Sequence, residues 1–194
     1  MKQYLKDTLK VLEHSILSID ETVFEALLND CVETLQNGRK LVVSGLGKNV
    51  PICEKFVGTM NSLGLSAAFM NTNSATHGDL GLIHAGDLVI LLTKSGETTE
   101  SVYLNHLLQK RNCAVWLLTF QKDSTLVREI PKALILNLEH EGDQWNLVPN
   151  NSTTMNLIVL QLLAMRLADA MHITLEQFKE NHPGGHIGEV LRRD

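Results

Sequence analysis

An α/β fold, with a parallel sheet covered by helices on both faces, is predicted by three features of the sequence. Short apolar runs of strand length alternate with helix-length amphipathic segments; two of those runs end in glycine turns; and one run, LeuValIleLeuLeu at 88–92, has no polar residue on either face. Two helices open the chain, over residues 2–18 and 21–36. In the second, Asp20 is placed to cap the start, Val23, Ala26, Leu27 and Leu35 follow helical spacing, and Gly38 supplies the stop. The period then changes. Residues 40–44 form a β-rich run, followed at once by glycines and a helical stretch that ends near Leu63, where Gly64 terminates it. Residues 66–70 are a second strand run and lead into a polar loop containing His77. Residues 87–93 are a fully buried strand, after which come the loop KSGETTE and a helix to about Arg111. Residues 113–119 and 132–137 are further strand runs. Ser152 to about Met171 is the longest helix, with Leu157, Val159, Leu160, Leu163 and Leu167 on a buried face. Trp116 and Trp145 are read as core or lid-packing residues.

The chain has 194 residues, 44% hydrophobic and 20% charged. That is enough to bury a core, so one domain over 1–194 is expected, with 1–38 as a helical segment packed on it. The net charge of −5 carries no basic stripe, which argues against nucleic acid as a partner. The most apolar stretch, 155–171, is interrupted by Asn156, Gln161, Arg166 and Asp169, so no membrane span is expected. The N-terminus lacks the apolar block of a secretory signal, and a cytoplasmic location follows as the default. The three cysteines, Cys31, Cys53 and Cys113, are widely spaced in apolar contexts and suit reduced core thiols.

In open parallel sheets ligands bind beyond the carboxyl ends of the strands, and both glycine turns belong there. The first, Ser44-Gly45-Leu46-Gly47-Lys48, is neither a dinucleotide fingerprint, since Val50 stands where a third Gly or Ala is needed, nor a Walker A loop, since Asn49 follows the lysine. It is read either as an anion site of glycine amides, a helix start and Lys48, or as a tight turn with a solvated lysine. The second turn adds hydroxyls: Ser95, Thr98 and Thr99, with the backbone of Gly96, can surround a phosphate at a helix start, or form a capping cluster. A third helix start carries Ser152, Thr153 and Thr154 in succession, more hydroxyls than one cap requires. No HxxxH or HExxH pair on a helix appears, so neither a metal nor another cofactor is expected.

Taken in order, SGLGK, THGDLG, KSGETTE, NNSTT and NHPGGHIG resemble the sugar isomerase (SIS) domain of the arabinose-5-phosphate isomerase family, from about Leu41 to Gly188. The resemblance implies a three-layer αβα sandwich around a five-stranded parallel sheet, assembled as a homotetramer. It also implies interconversion of D-ribulose 5-phosphate and D-arabinose 5-phosphate, which supplies Kdo for lipopolysaccharide or capsule. Relatives commonly continue into two CBS modules, which this form is expected to lack. Ser95 and Thr98 match phosphate-loop positions, with 152–154 nearby; Lys48, His77, Glu97, Glu141 and His182 match positions associated with activity. Two departures stand out: Lys94 replaces the Asn usual before SerGlyGlu, adding a cation to the phosphate loop, and the segment before His77 lacks the usual Gly-Glu.

Aldose-ketose isomerisation through an enediol needs a carbon base, groups that shuttle protons between O1 and O2, and a cation near the enediolate. Glu141 is favoured as the base, with Glu97 as runner-up; alone, the first reads equally as a surface acid and the second as a first-turn helix acid. Lys48 supplies charge, and His77 and His182 carry oxygen protons, His182 from a neighbouring subunit. Two alternatives are a phosphosugar-binding regulator without turnover and an isomerase of another ketose phosphate.

Overall fold

In the computed structural model, which describes residues 1–191, the strands are β1 (Leu41–Gly45), β2 (Ala67–Asn71), β3 (Leu88–Leu92), β4 (Ala114–Thr119) and β5 (Ala133–Ile135). All pair in parallel, in the order β2-β1-β3-β4-β5. Leu41 stands beside Leu88 and Ser44 beside Leu91, so β1 and β3 are in step at the sheet centre. Alternation sorts their side chains. Leu41, Val43, Leu88, Ile90 and Leu92 face one layer of helices, and Val42, Val89 and Leu91 face the other. The first layer is α2 (Glu21–Gln36), α3 (Asn49–Ser62) and α6 (Asn151–Ala170), with α1 (Lys2–Leu17) packed on α6; the second is α4 (Thr99–Leu108) and α5 (Thr125–Glu129). This is a five-stranded αβα sandwich, the expected class. Each fully buried Leu or Ile in the two cores contributes about 1.5–3 kcal/mol.

The strand order has a consequence for function. The chain leaves β1 toward α3 on one face and β3 toward α4 on the other, so the loops diverge and a crevice opens between them at the carboxyl ends of the strands. At the opposite end, the buried carboxylate of Asp87 holds β1 and β3 together. It accepts the Lys40 amide (3.2 Å), the Lys40 ammonium (2.7 Å) and the His84 amide (2.8 Å).

Asp20 caps α2 through the Val23 amide as expected. The sequence reading differs from the structure in its shortest elements. α4 ends at Leu108 rather than near Arg111, and α5, α7 (Leu175–Glu180), α8 (Gly185–Leu191) and two 3₁₀ turns, Ala75–His77 and Asp79–Leu82, were not anticipated. One or two turns cannot display a periodic apolar stripe. Trp116 is buried, its Nε1 donating to Asp30 at 2.7 Å, whereas Trp145 is exposed in the segment before α6 and belongs to neither core. Cys31 and Cys53 are fully buried free thiols, and burial pushes the Cys53 thiol up to about 12. No helix among the described residues is long and apolar enough to cross a membrane.

A Cβ at Gly45 would stand 2.9 Å from Asn49 Cβ and 3.3 Å from Cys53 Sγ, so this glycine lets α3 lie against β1. Gly45→Ala should cost about 1–3 kcal/mol through overpacking. Gly96→Ala should cost more, because its Cβ would meet Ser124 Cβ at 2.7 Å and its φ of +65° is left-handed. Urea denaturation of the two variants checks the order; equal midpoints would show that the Ser124 contact and the left-handed φ of Gly96 add nothing beyond the cost at Gly45.

Candidate functional site

Glu141 lies in the irregular segment between β5 and α6 and is 0% exposed. Its Oε1 accepts the Ser152 hydroxyl at 2.7 Å and the Lys94 ammonium at 2.5 Å. Oε2 accepts the amides of Asn150 (3.0 Å) and Ser152 (2.9 Å). The Asn150 side chain does not cap α6; the carboxylate from nine residues upstream does, at the positive end of the helix. The segment is itself held in place, since the Glu141 amide donates to Asn146 (2.7 Å) and Asn151 Nδ2 donates to the His140 carbonyl (2.9 Å). Burial pushes the Glu141 carboxyl up, but the Lys94 ammonium, the Ser152 hydroxyl and the two amides outweigh it. The group is therefore held below the ordinary carboxylate range.

In front of Glu141 is a small cavity of about 70 Å³ at the mouth of the crevice, whose lining includes Lys48, Asn49, Lys94, Ser152, Thr153 and Asn156. The loop after β1, the loop after β3 and the start of α6 thus meet at one point. Two lysines and two hydroxyl residues make it suited to an anion. Asn156 was not anticipated. Its Nδ2 donates to Asn49 Oδ1 at 3.0 Å, and its own Oδ1 is buried without a partner among the described residues. The signal was present as a polar side chain on the buried stripe of α6, between Ser152 and Leu160.

The expected phosphate groups divide. At the start of α4, Thr98 makes no side-chain cap, and the amides of Thr99, Glu100 and Ser101 have no acceptor among the described residues, so this helix start is open. Ser95 is exposed; its Oγ accepts the Glu97 amide at 3.2 Å and its own proton is free to donate. The Gly96 amide is committed to Thr93 Oγ1. The turn after β1 is different. The amides of Asn49 and Val50 fold back on the carbonyls of Leu46 and Gly47, and Pro51 has none to offer, so the α3 start itself presents no free amide at these positions. Gly47 is exposed at φ +54°, whereas Gly45 is a packing glycine. Ser44 requires correction as a phosphate ligand: it is fully buried within β1 and its hydroxyl is 2.9 Å from that of Thr72. The hydroxyls of Thr153 and Thr154 both donate to the Asn150 carbonyl.

The proposed proton-transfer groups are not gathered in one chain. Glu97 is exposed and turns toward α5, where its Oε1 accepts the Thr125 amide at 2.8 Å and Arg128 lies at 3.9 Å. The Thr125 bonds come first in holding its carboxyl below the ordinary range. His77 ends a 3₁₀ turn and is exposed. His182 follows α7, with its Nδ1 donating to the Phe178 carbonyl at 2.7 Å and its ring 4.0 Å from that of Phe178. None of these three lines the cavity. Among the described residues no three His, Cys, Asp or Glu side chains converge as a metal site would require.

Residues 34–166 match the profile of the SIS domain family. The chain is 31% identical over 186 residues to an arabinose 5-phosphate isomerase of Yersinia pestis, covering 96% of this chain and 57% of the relative. It therefore spans a little over half the length of the curated relatives it matches. Among solved structures it superposes on an Escherichia coli protein in complex with arabinose 5-phosphate, with a TM-score of 0.86, 29% identity, and coverage of 94% of this chain and 95% of that one. The fold also matches the sugar isomerase domain of an RpiR transcription factor from Sphaerobacter thermophilus, with a TM-score of 0.69 and 18% identity over 98% of this chain and 97% of that one.

Glu141→Ala leaves Lys94 and the α6 amides without their partner and should cost about 3–5 kcal/mol at neutral pH. Because its folded-state pKa is depressed, the carboxylate's contribution is complete above the unfolded value of about 4.3 and is lost as pH falls through the folded one. The urea midpoints of wild type and Glu141→Gln should thus differ at neutral pH and converge in acid. A gap that persists undiminished below about pH 3 would mean that the charge of Glu141 contributes nothing.

Proposed function

This chain belongs to the SIS domain family, and we propose that within it the protein is a phosphosugar isomerase, interconverting D-ribulose 5-phosphate and D-arabinose 5-phosphate through an enediol. One observation carries the reading: the open start of α4 adjoins, through Lys94, a cavity that holds Lys48 and has a buried carboxylate behind it. Phosphate binds at the Ser95 and Thr98 hydroxyls and the free α4 amides, and its binding energy positions the reacting carbons. Lys48 faces the enediolate oxygen that develops between C1 and C2. Glu141 is the carbon base, its Oε1 becoming available when Lys94 leaves it; the attachment of Glu97 to α5 makes it the lesser choice. The similarity to arabinose 5-phosphate isomerases supports this substrate over longer ketose phosphates, and Kdo supply is the role that the reaction would serve.

A cavity of about 70 Å³ is far smaller than the several hundred Å³ that enclose most small-molecule ligands. His77 and His182 lie outside it in one chain, and α1 and α6 expose Leu5, Leu9, Leu17, Leu162 and Met165. These features support a homotetramer in which histidines of a neighbouring copy complete the site and carry protons between O1 and O2.

Purified protein assayed against a panel of ketose phosphates should form aldose most rapidly from D-ribulose 5-phosphate, with solvent deuterium entering the reacting carbon. The double variant Ser95→Ala/Thr98→Ala should raise KM roughly tenfold or more if two hydrogen bonds to a charged group are lost. An unchanged KM in a folded variant would move the phosphate elsewhere, and saturable binding with no turnover on any member of the panel would favour the regulator. Sedimentation should show a tetramer; a fully active monomer would remove His182 from the neighbouring site.

A further inference from the structure

Lys94 stands where the two halves of the site meet. Its carbonyl accepts the Phe120 amide and the Thr119 hydroxyl, both at 3.2 Å, which ties its backbone to the end of β4. Its side chain crosses from the loop after β3 to Glu141 Oε1 at 2.5 Å. The two partners differ in access: the Glu141 side chain is 0% exposed and that of Lys94 is 41% exposed and lines the cavity. Among the described residues no other cation lies within ion-pair distance of Glu141. An ammonium has three donors and a flexible four-carbon stem, so it can exchange one anion for another without moving its backbone.

We propose that Lys94 is a positioning residue that couples anion binding to Glu141: its ammonium sits on Oε1 and transfers to a phosphate ester that enters the crevice, leaving Oε1, which keeps only the Ser152 hydroxyl, with a free lone pair toward the cavity. A dianion beside the α4 start outcompetes a single carboxylate for the same ammonium, because its charge is doubled and it brings more acceptor oxygens. Glu141 does not move when Lys94 leaves, since Ser152 Oγ and the amides of Asn150 and Ser152 still hold it. It loses its counter-ion and becomes a stronger base at the moment a substrate is present.

The other charged and titratable groups around Glu141 lie across the cavity, in its own segment and on α1. Lys48 faces from across the cavity at the α3 start. In Glu141's own segment, His140 Nδ1 accepts the Gly142 amide, and Asp143 is committed to the amides of Trp145, Leu147 and Val148. The Tyr4 hydroxyl of α1 lies against Gly142. The depressed pKa of Glu141 agrees with the pairing. Only the activity arm of the test rests on the isomerase reading.

Protein labelled with ¹³C at the glutamate carboxyls, with Glu141→Gln supplying the assignment, is titrated by NMR alone, with saturating inorganic phosphate and with saturating D-arabinose 5-phosphate. The wild-type Glu141 midpoint should lie below the ordinary carboxylate range and move up with either ligand. Lys94→Met should start at the raised midpoint and fail to respond, and Lys94→Arg should restore the low one. In turnover, Lys94→Met should lower kcat/KM roughly tenfold or more and shift the acid limb of its pH profile upward. A wild-type midpoint unmoved by both ligands, or a Lys94→Met midpoint equal to wild type, overturns the coupling. A rise in KM with an unchanged acid limb would make Lys94 a phosphate ligand only and also overturns it. If the midpoints move as expected while no ketose phosphate is turned over, the isomerase reading fails and the coupling stands. Should Lys94→Met not fold, the ligand response of the wild type and of Lys94→Arg decides alone.

Discussion

Glu141 is both buried and ionised, a combination that costs several kcal/mol unless each lone pair is met. The groups that meet it come from separate parts of the chain: Lys94 from the loop after β3, and Ser152 with the Asn150 amide from the α6 start. Satisfying one carboxylate therefore registers the phosphate loop against the longest helix. The same bonds cap a 20-residue helix whose own N-cap residue does not do so. Remove the carboxylate and three elements lose their common reference.

The sheet carries a second buried acid at its other end, and the contrast shows what makes a pair available for chemistry. Asp87 joins Lys40 and the His84 amide at the amino ends of β1 and β3, with Lys40 only 16% exposed. Burial pushes the Asp87 carboxyl up, and the Lys40 and amide bonds return it below its ordinary value, the same balance as at Glu141. Yet Asp87 lies where strands enter the sheet and loops do not diverge. Glu141 lies where they do, behind a lysine that solvent can reach. Topology, rather than pair chemistry, separates a structural clamp from a candidate site.

The frame of the site is the strand order, the open α4 start and the crevice, in a chain that belongs to the SIS domain family. Within that frame the cavity is furnished by a few polar side chains. Lys94 places a second ammonium opposite Lys48, and Asn49 joins Asn156 across the α3 and α6 starts, leaving the Asn156 Oδ1 buried without a partner among the described residues. A buried polar atom without a protein partner is uncommon, and here it lies on the wall of the candidate site. Substrate discrimination within a shared frame depends on such residues, because they meet the parts of a ligand beyond its phosphate.

Strand and helix runs, the two glycine turns and the hydroxyl clusters were legible in the sequence, because periodicity and turn chemistry are local properties of the chain. So was the class of fold, since a strand with no polar face at 88–92 can exist only between two layers. The short elements were not: α5 begins with Ser124 and with Glu97, a residue 28 positions away from the Thr125 amide that it caps. Nor was the state of each candidate side chain. Ser44, Ser95 and Ser152 are the same residue type at similar turn positions, but one is sealed beneath Thr72, one is exposed, and one is bonded to a buried carboxylate. Glu141 and Glu97 were the first and second candidates for the base, but only folding turned Glu97 toward α5 and buried Glu141 under Lys94. The sequence determined which groups were present and on which turns; the tertiary structure decided which of them meet, because pairing, burial and charge depend on segments that are distant in the chain and adjacent only in space.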